Sequence, residues 1–109
     1  MRLIVCALAL SALSAAQAPK AQTFVGTITD NMCLKADHSQ MQMGPTDAEC
    51  VKACVAAHGA TYVLYDGTNV YALSDQKTPE KFAAQRVRVT GTLDAKTKKI
   101  AVTSIAAAK

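Results

Sequence analysis

Residues 61–93 read TYVLYDGTNVYALSDQKTPEKFAAQRVRVTGTL. Thr61–Tyr65 is rich in β-branched and aromatic residues and predicts a strand. Asp66-Gly67 is a turn signal, and Asn69–Leu73 predicts the returning strand of a hairpin. Thr78-Pro79-Glu80 then opens a short helix, with proline at its first position, where no amide is needed. It extends through about Ala84 and sets Phe82 against the core. Arg86–Leu93 alternates without a break. Val87, Val89, Gly91 and Leu93 share one face, and Arg86, Arg88, Thr90 and Thr92 the other.

Working outward, Asp94–Lys98 turns the chain. Lys99–Ile105 predicts a last strand with Ile100 and Val102 inward, and residues 106–109 form a tail. Upstream, Thr23–Thr29 predicts a first strand, in which Gly26 suggests a bulge or tight bend. Residues 30–45 show no period and read as a long loop. Thr46-Asp47-Ala48-Glu49 is a capping box, in which the Thr46 hydroxyl can accept from the Glu49 amide. The helix it opens runs to His58, and Gly59 supplies a left-handed stop. At about 100° per residue, Ala48, Cys50, Val51, Cys54, Val55, Ala57 and His58 share a broad inward arc. The expected fold is mainly β with one inserted helix (α+β). Five strands with a short helix between the third and fourth follow the order of a small OB-like barrel, here with a loop and helix inserted between strands 1 and 2. A small two-layer α+β sheet is the competing architecture.

The 109 residues (11.4 kDa) hold one domain, expected over 23–105. A (β/α) barrel or a dinucleotide-binding domain would not fit. Met1-Arg2, the apolar run Leu3–Leu13 and the small residues Ser14–Ala18 follow the order of a signal peptide over residues 1–18, cleaved after Ala16 or Ala18. The run is too short for a permanent anchor, and no second one follows, so no membrane span is expected in the mature chain. The expected location is the periplasm or the exterior. Cys6 would leave with the leader, and Cys33, Cys50 and Cys54 would stay. In an oxidising compartment this odd number implies one disulfide with a spare thiol, or a site using all three sulfurs.

Several stretches carry a resemblance: Gly26-x-Ile28-x-Asp30-x-Met32-Cys33, Asp47-Ala48-Glu49-Cys50-x-x-Ala53-Cys54, Tyr62-Val63-Leu64, Val70-Tyr71-x-Leu73, and Val87-x-Val89-Thr90-Gly91-Thr92-Leu93. Across nearly all of the mature region the chain resembles an uncharacterised family of small exported bacterial proteins with an OB-fold-like domain. The resemblance implies a compartment and a fold and no reaction. Many relatives carry glycine after the first cysteine, where this chain has Leu34.

The chemistry-bearing residues crowd into residues 32–58. Cys50 and Cys54 stand one turn apart on the helix, side by side. The loop can bring Cys33 and His38 over them, making a Cys3His set acceptable to zinc, although Cys-x4-His-x11-Cys-x3-Cys is not a standard finger spacing. Met32, Met41 and Met43 are possible additional soft ligands that would favour copper, or else core filling. His58 extends the cysteine stripe, or serves as a cation at the helix end. Asp37 could orient His38. The simpler reading is a disulfide staple between Cys33 and either helical cysteine, worth roughly 3 kcal/mol. Cys50 and Cys54 are poorly placed to pair with each other. A redox-active thiol is a weaker option without a Cys-x-x-Cys motif.

No serine–histidine–acid set, phosphate-cradling loop or placed pair of acids can be argued, so an enzyme is not expected. The net charge of +4 is too small for a polybasic tail. An OB-like barrel could bind oligosaccharide or nucleic acid, with Tyr62, Tyr65 and Tyr71 near Arg86, Arg88, Lys98 and Lys99. Modest charge and export argue against nucleic acid. Taken together, the sequence points to an exported, non-enzymatic binding or structural module built on a disulfide staple. The alternatives are a zinc or copper site and an oligomer-binding barrel. The partner would be a small ligand, a metal or an envelope component.

Overall fold

The computed structural model describes residues 20–33, 36 and 45–108. The leader, His38, Met41 and Met43 lie outside them, as do Leu34 and Asp37. The described chain is mainly β, with five strands and one α-helix. In order these are β1 (Gln22–Asp30), α1 (Asp47–His58), β2 (Tyr62–Tyr65), β3 (Val70–Leu73), β4 (Arg86–Asp94) and β5 (Lys99–Ala107). A 3-10 helix, Thr78–Phe82, lies between β3 and β4. No described helix is long and apolar enough to cross a membrane.

The strands pair in the order β1-β2-β3-β5-β4, and β1 also pairs with β4, so the ladder returns on itself. β1 does this by dividing its length. Gln22–Thr27 pairs with β4, and Thr27–Asp30 pairs with β2. At the changeover stands Gly26, where a Cβ would lie 2.4 Å from the Tyr65 carbonyl oxygen. The register runs through Gly26 without a shift, so the glycine answers a close backbone approach and not a bulge. The parallel pair β3·β5 is joined through Ala72–Lys99 and Leu73–Ile100.

The core is what alternation dictates. Ile28, Leu64, Leu73, Val87, Val89 and Ile100 are buried together with Tyr62, Ala83 and Val51. Arg86 and Arg88 face out between the buried valines of β4. On β5 the alternation holds for Ile100 and Val102 and then breaks. Gly91 pairs with Val102 and Thr90 with Ser104, so Thr103 is an extra residue. This bulge turns Ile105, not Ser104, toward the core, which explains the spacing of the apolar residues in the strand.

Three expectations are corrected. The 3-10 helix stops at Phe82, because Ala83 bridges to Ile28, and the Ala84 amide donates to the Ile28 carbonyl at 2.8 Å. The segment therefore docks on β1 instead of completing another helical turn. β5 continues into the expected tail, where Ala106 and Ala107 pair with Arg88 and Val87. The buried face of α1 is also shorter than the arc. Cys50, Val51 and Cys54 are buried, while Ala57 and His58 are exposed. Gly59 turns the chain at a φ of 65°, and Ala60 just beyond it is buried against Cys50 and Cys54.

Candidate metal centre

The site forms where β1 ends and α1 crosses it. Ile28, Thr29 and Asp30 are all fully buried at the end of the strand. The chain then turns sharply. Asp30 Oδ1 accepts from the Met32 amide at 2.9 Å and from the Cys33 amide at 3.0 Å. This is an Asx turn, which a short carboxylate side chain makes by capping the backbone just ahead of it. Thr29 Oγ1 donates to the Cys33 carbonyl at 2.8 Å. Asn31 is tied to Thr61 in both directions, each at 3.0 Å. Cys33 is thus held from the strand side and the β2 side and is buried.

The helical cysteines are fixed by the helix itself. The Thr46 hydroxyl accepts from the Glu49 amide at 3.2 Å, as the capping box predicts. The Cys50 amide donates to the Thr46 carbonyl at 2.9 Å. At the other end the amides of Gly59 and Ala60 both donate to the Cys54 carbonyl. Val51, between the two cysteines, enters the main core, whereas Cys50 and Cys54 form a separate small cluster with Ala60. The core residue sets the rotation of the helix, and that rotation aims both thiols at the turn after β1.

The result is a triangle of sulfur. The Sγ atoms of Cys33, Cys50 and Cys54 lie within 4.8 Å of one another, and all three residues are buried. All three are present as thiols. Burial pushes the Cys33 thiol above its ordinary value, with the Asp30 carboxylate next in effect. Burial, and then Asp30, push Cys54 up to about 11. Both shifts have one physical origin: a thiolate here would lose its water and face another negative group.

Three sulfurs bonded to one ion at about 2.3 Å stand roughly 3.8–4.0 Å apart, a spacing this triangle can reach. A disulfide needs two sulfurs at about 2.0 Å and leaves the third behind.

Of the residues proposed from sequence, the structure gathers Cys33, Cys50 and Cys54. Met32 is largely exposed, at 44%, and His58 is exposed on the last turn of α1. His38, Met41 and Met43 fall outside the described residues. Sequence reasoning missed Asp30. Its Oδ1 is engaged in the turn, but its Oδ2 is buried with no hydrogen-bond partner among the described residues. The signal was an aspartate closing a β-rich stretch three residues before a cysteine. Elsewhere an open groove of about 650 Å³ is lined by Ser74, Thr92, Leu93, Lys96 and Ala101, among others, and by none of the cysteines.

No family model, curated protein or solved structure matches this chain.

Proposed function

We propose that this domain is a non-enzymatic binding module that holds one thiophilic metal ion, zinc or copper, between Cys33, Cys50 and Cys54. The observation that carries the reading is the mutual approach of the three buried Sγ atoms within 4.8 Å. Buried cysteines are common, but three converging from a turn and a helix form a donor set that few ions other than soft or borderline metals favour. On sequence grounds His38 is the fourth donor of a Cys3His site.

The finer architecture belongs to the same reading. The strand order, the parallel β3·β5 pair and the 3-10 helix between β3 and β4 support an OB-like barrel. On it, α1 and the loop before it form an insertion that carries the site. Residues 1–18 act as an export signal, placing the module in the periplasm or outside the cell. An oligomer-binding role has less support, because the tyrosines are engaged. Tyr62 is buried, the Tyr65 hydroxyl donates to the Gly67 carbonyl, and Tyr71 packs on Phe24 with ring centroids 5.3 Å apart.

A disulfide staple is the second reading, favoured by Cys33 standing beside both helical sulfurs. Native mass spectrometry of the chain, purified without reductant, separates the two. The metal reading expects one zinc or copper per chain and three alkylatable thiols after denaturation in chelator. A chain lighter by two hydrogens, with one thiol and no retained metal, overturns it in favour of the staple.

A further inference from the structure

Asp30 is fully buried, and one of its carboxylate oxygens has no hydrogen-bond partner among the described residues. The turn after β1 uses only Oδ1, which accepts both the Met32 and the Cys33 amides. A buried carboxylate oxygen without a partner is costly, and such atoms call for a reason. The reason lies next to it, since the same carboxyl group accepts from the amide of Cys33, one corner of the sulfur triangle, at 3.0 Å.

Resting on the metal-site reading above, we infer that Asp30 belongs to the centre and makes it selective for a divalent cation such as Zn²⁺ over Cu⁺. Asp30 is outside the group of atoms that approach within 4.8 Å of one another. It therefore acts beside the sulfur triangle, as a negative charge next to Cys33, and not as one of the ion's donors.

Charge decides the preference. Three thiolates and a carboxylate bring four negative charges into a buried place. A monovalent ion leaves three of them uncompensated, and a divalent ion leaves two. Residual buried charge is costly, so the second positive charge counts heavily. The methionines flanking the loop point toward copper by their softness. The carboxylate weighs against that, and it is fixed in the buried core of the site, whereas Met32 is largely exposed.

The test compares the wild-type chain with Asp30→Asn, which keeps an Oδ1 acceptor for the turn and removes the charge. Zn²⁺ affinity is measured by competition with a chromophoric chelator, and Cu⁺ affinity by competition with a Cu⁺-specific chelator under reductant. Loading Cu⁺ leaves one more negative charge beside Asp30 than loading Zn²⁺, so the carboxylate opposes Cu⁺ more. The expected result is therefore a Zn²⁺/Cu⁺ affinity ratio that drops at least about tenfold in Asp30→Asn. A merely structural role would weaken both metals together and leave the ratio alone. An unchanged ratio overturns the role of Asp30 while leaving a thiol-bound metal intact. A wild-type chain that retains neither ion overturns the metal reading itself. If Asp30→Asn does not fold, Asp30→Ser, whose hydroxyl can still accept in the turn, is measured in the same way.

Discussion

The hydroxyl of Thr29 donates to the carbonyl of Cys33 at 2.8 Å, closing the turn that brings the first thiol over the helix. Both residues are buried. The bond sets where Cys33 can stand, since it fixes the backbone immediately after the thiol-bearing carbon. Replacing Thr29 by Val keeps the β-branched shape and removes the donor. The expected cost is about 1 kcal/mol in a urea titration, because the carbonyl retains the Ala36 amide as a second partner. Metal affinity should also fall, because Cys33 loses its fixed position. Unchanged stability and unchanged affinity would show that the turn holds without this hydroxyl.

Each of the three cysteines should matter to metal retention, and to a similar degree. Cys33→Ser, Cys50→Ser and Cys54→Ser each remove one donor, so each should cost more than the roughly 100-fold upper end seen for outer partners. Chelator competition on the three variants reads this directly. If one serine variant binds metal like the wild type while the other two lose it, two sulfurs act as a pair and the third is a bystander.

The raised thiols give a pH signature with a definite sign. A group whose folded pKa lies above its unfolded one holds its proton more tightly when folded. The unfolded chain then ionises first as pH rises, so stability falls. For Cys54 the window runs from the ordinary thiol value near 9 to about 11. Within it, the metal-free chain should lose up to about 1.4 kcal/mol per pH unit from this residue. Urea midpoints between pH 8 and 11 measure the slope, and Cys54→Ser should flatten it. Below this window Cys54 holds its proton, so loading metal near neutral pH should release protons into a weakly buffered solution.

The acid limb belongs to two surface turns. Backbone amides of Asn69 and Thr68 hold the Asp66 carboxyl below its ordinary value. The hydroxyl and amide of Thr78, with the Lys77 amide, do the same for Asp75. A depressed carboxyl stabilises the fold above its unfolded pKa and loses that effect as pH falls through the folded value. Stability should therefore decline below about pH 4, near the ordinary aspartate value. Asp66→Asn should reduce the steepness of that decline in an acid titration followed by circular dichroism. An unaltered acid limb in both Asp66→Asn and Asp75→Asn would remove these turns from the account.

Gly26→Ala tests the point where β1 passes from one partner to the other. The added carbon would meet the Tyr65 carbonyl oxygen at 2.4 Å and its carbon at 2.9 Å, both backbone atoms that cannot rotate away. The strands must part, at a cost of about 3 kcal/mol, the upper range for overfilled sites. Thermal denaturation should show a large drop, and a drop under about 1 kcal/mol would mean that the ring of strands yields easily here.

Local physics was readable in the residues themselves. The valines of β4 alternate because one face of the strand is buried. Thr46 and Gly59 bracket α1 because helix ends must satisfy their own amides and carbonyls. Cys50 and Cys54 share a face because they stand four residues apart on a helix. None of these needed a partner from elsewhere in the chain. What the tertiary structure alone decided depends on distant segments meeting. The depth of Val51 in the core fixes the rotation of α1, and so whether its thiols meet Cys33 at all. The extra residue at Thr103 exists only through its pairing with β4. Asp30 looks like an ordinary loop-edge acid until folding buries it beside the thiols, with one oxygen unmatched among the described residues. Sequence spacing governs what lies within a few residues, whereas burial and charge environment are set by which surfaces the closed ladder brings into contact.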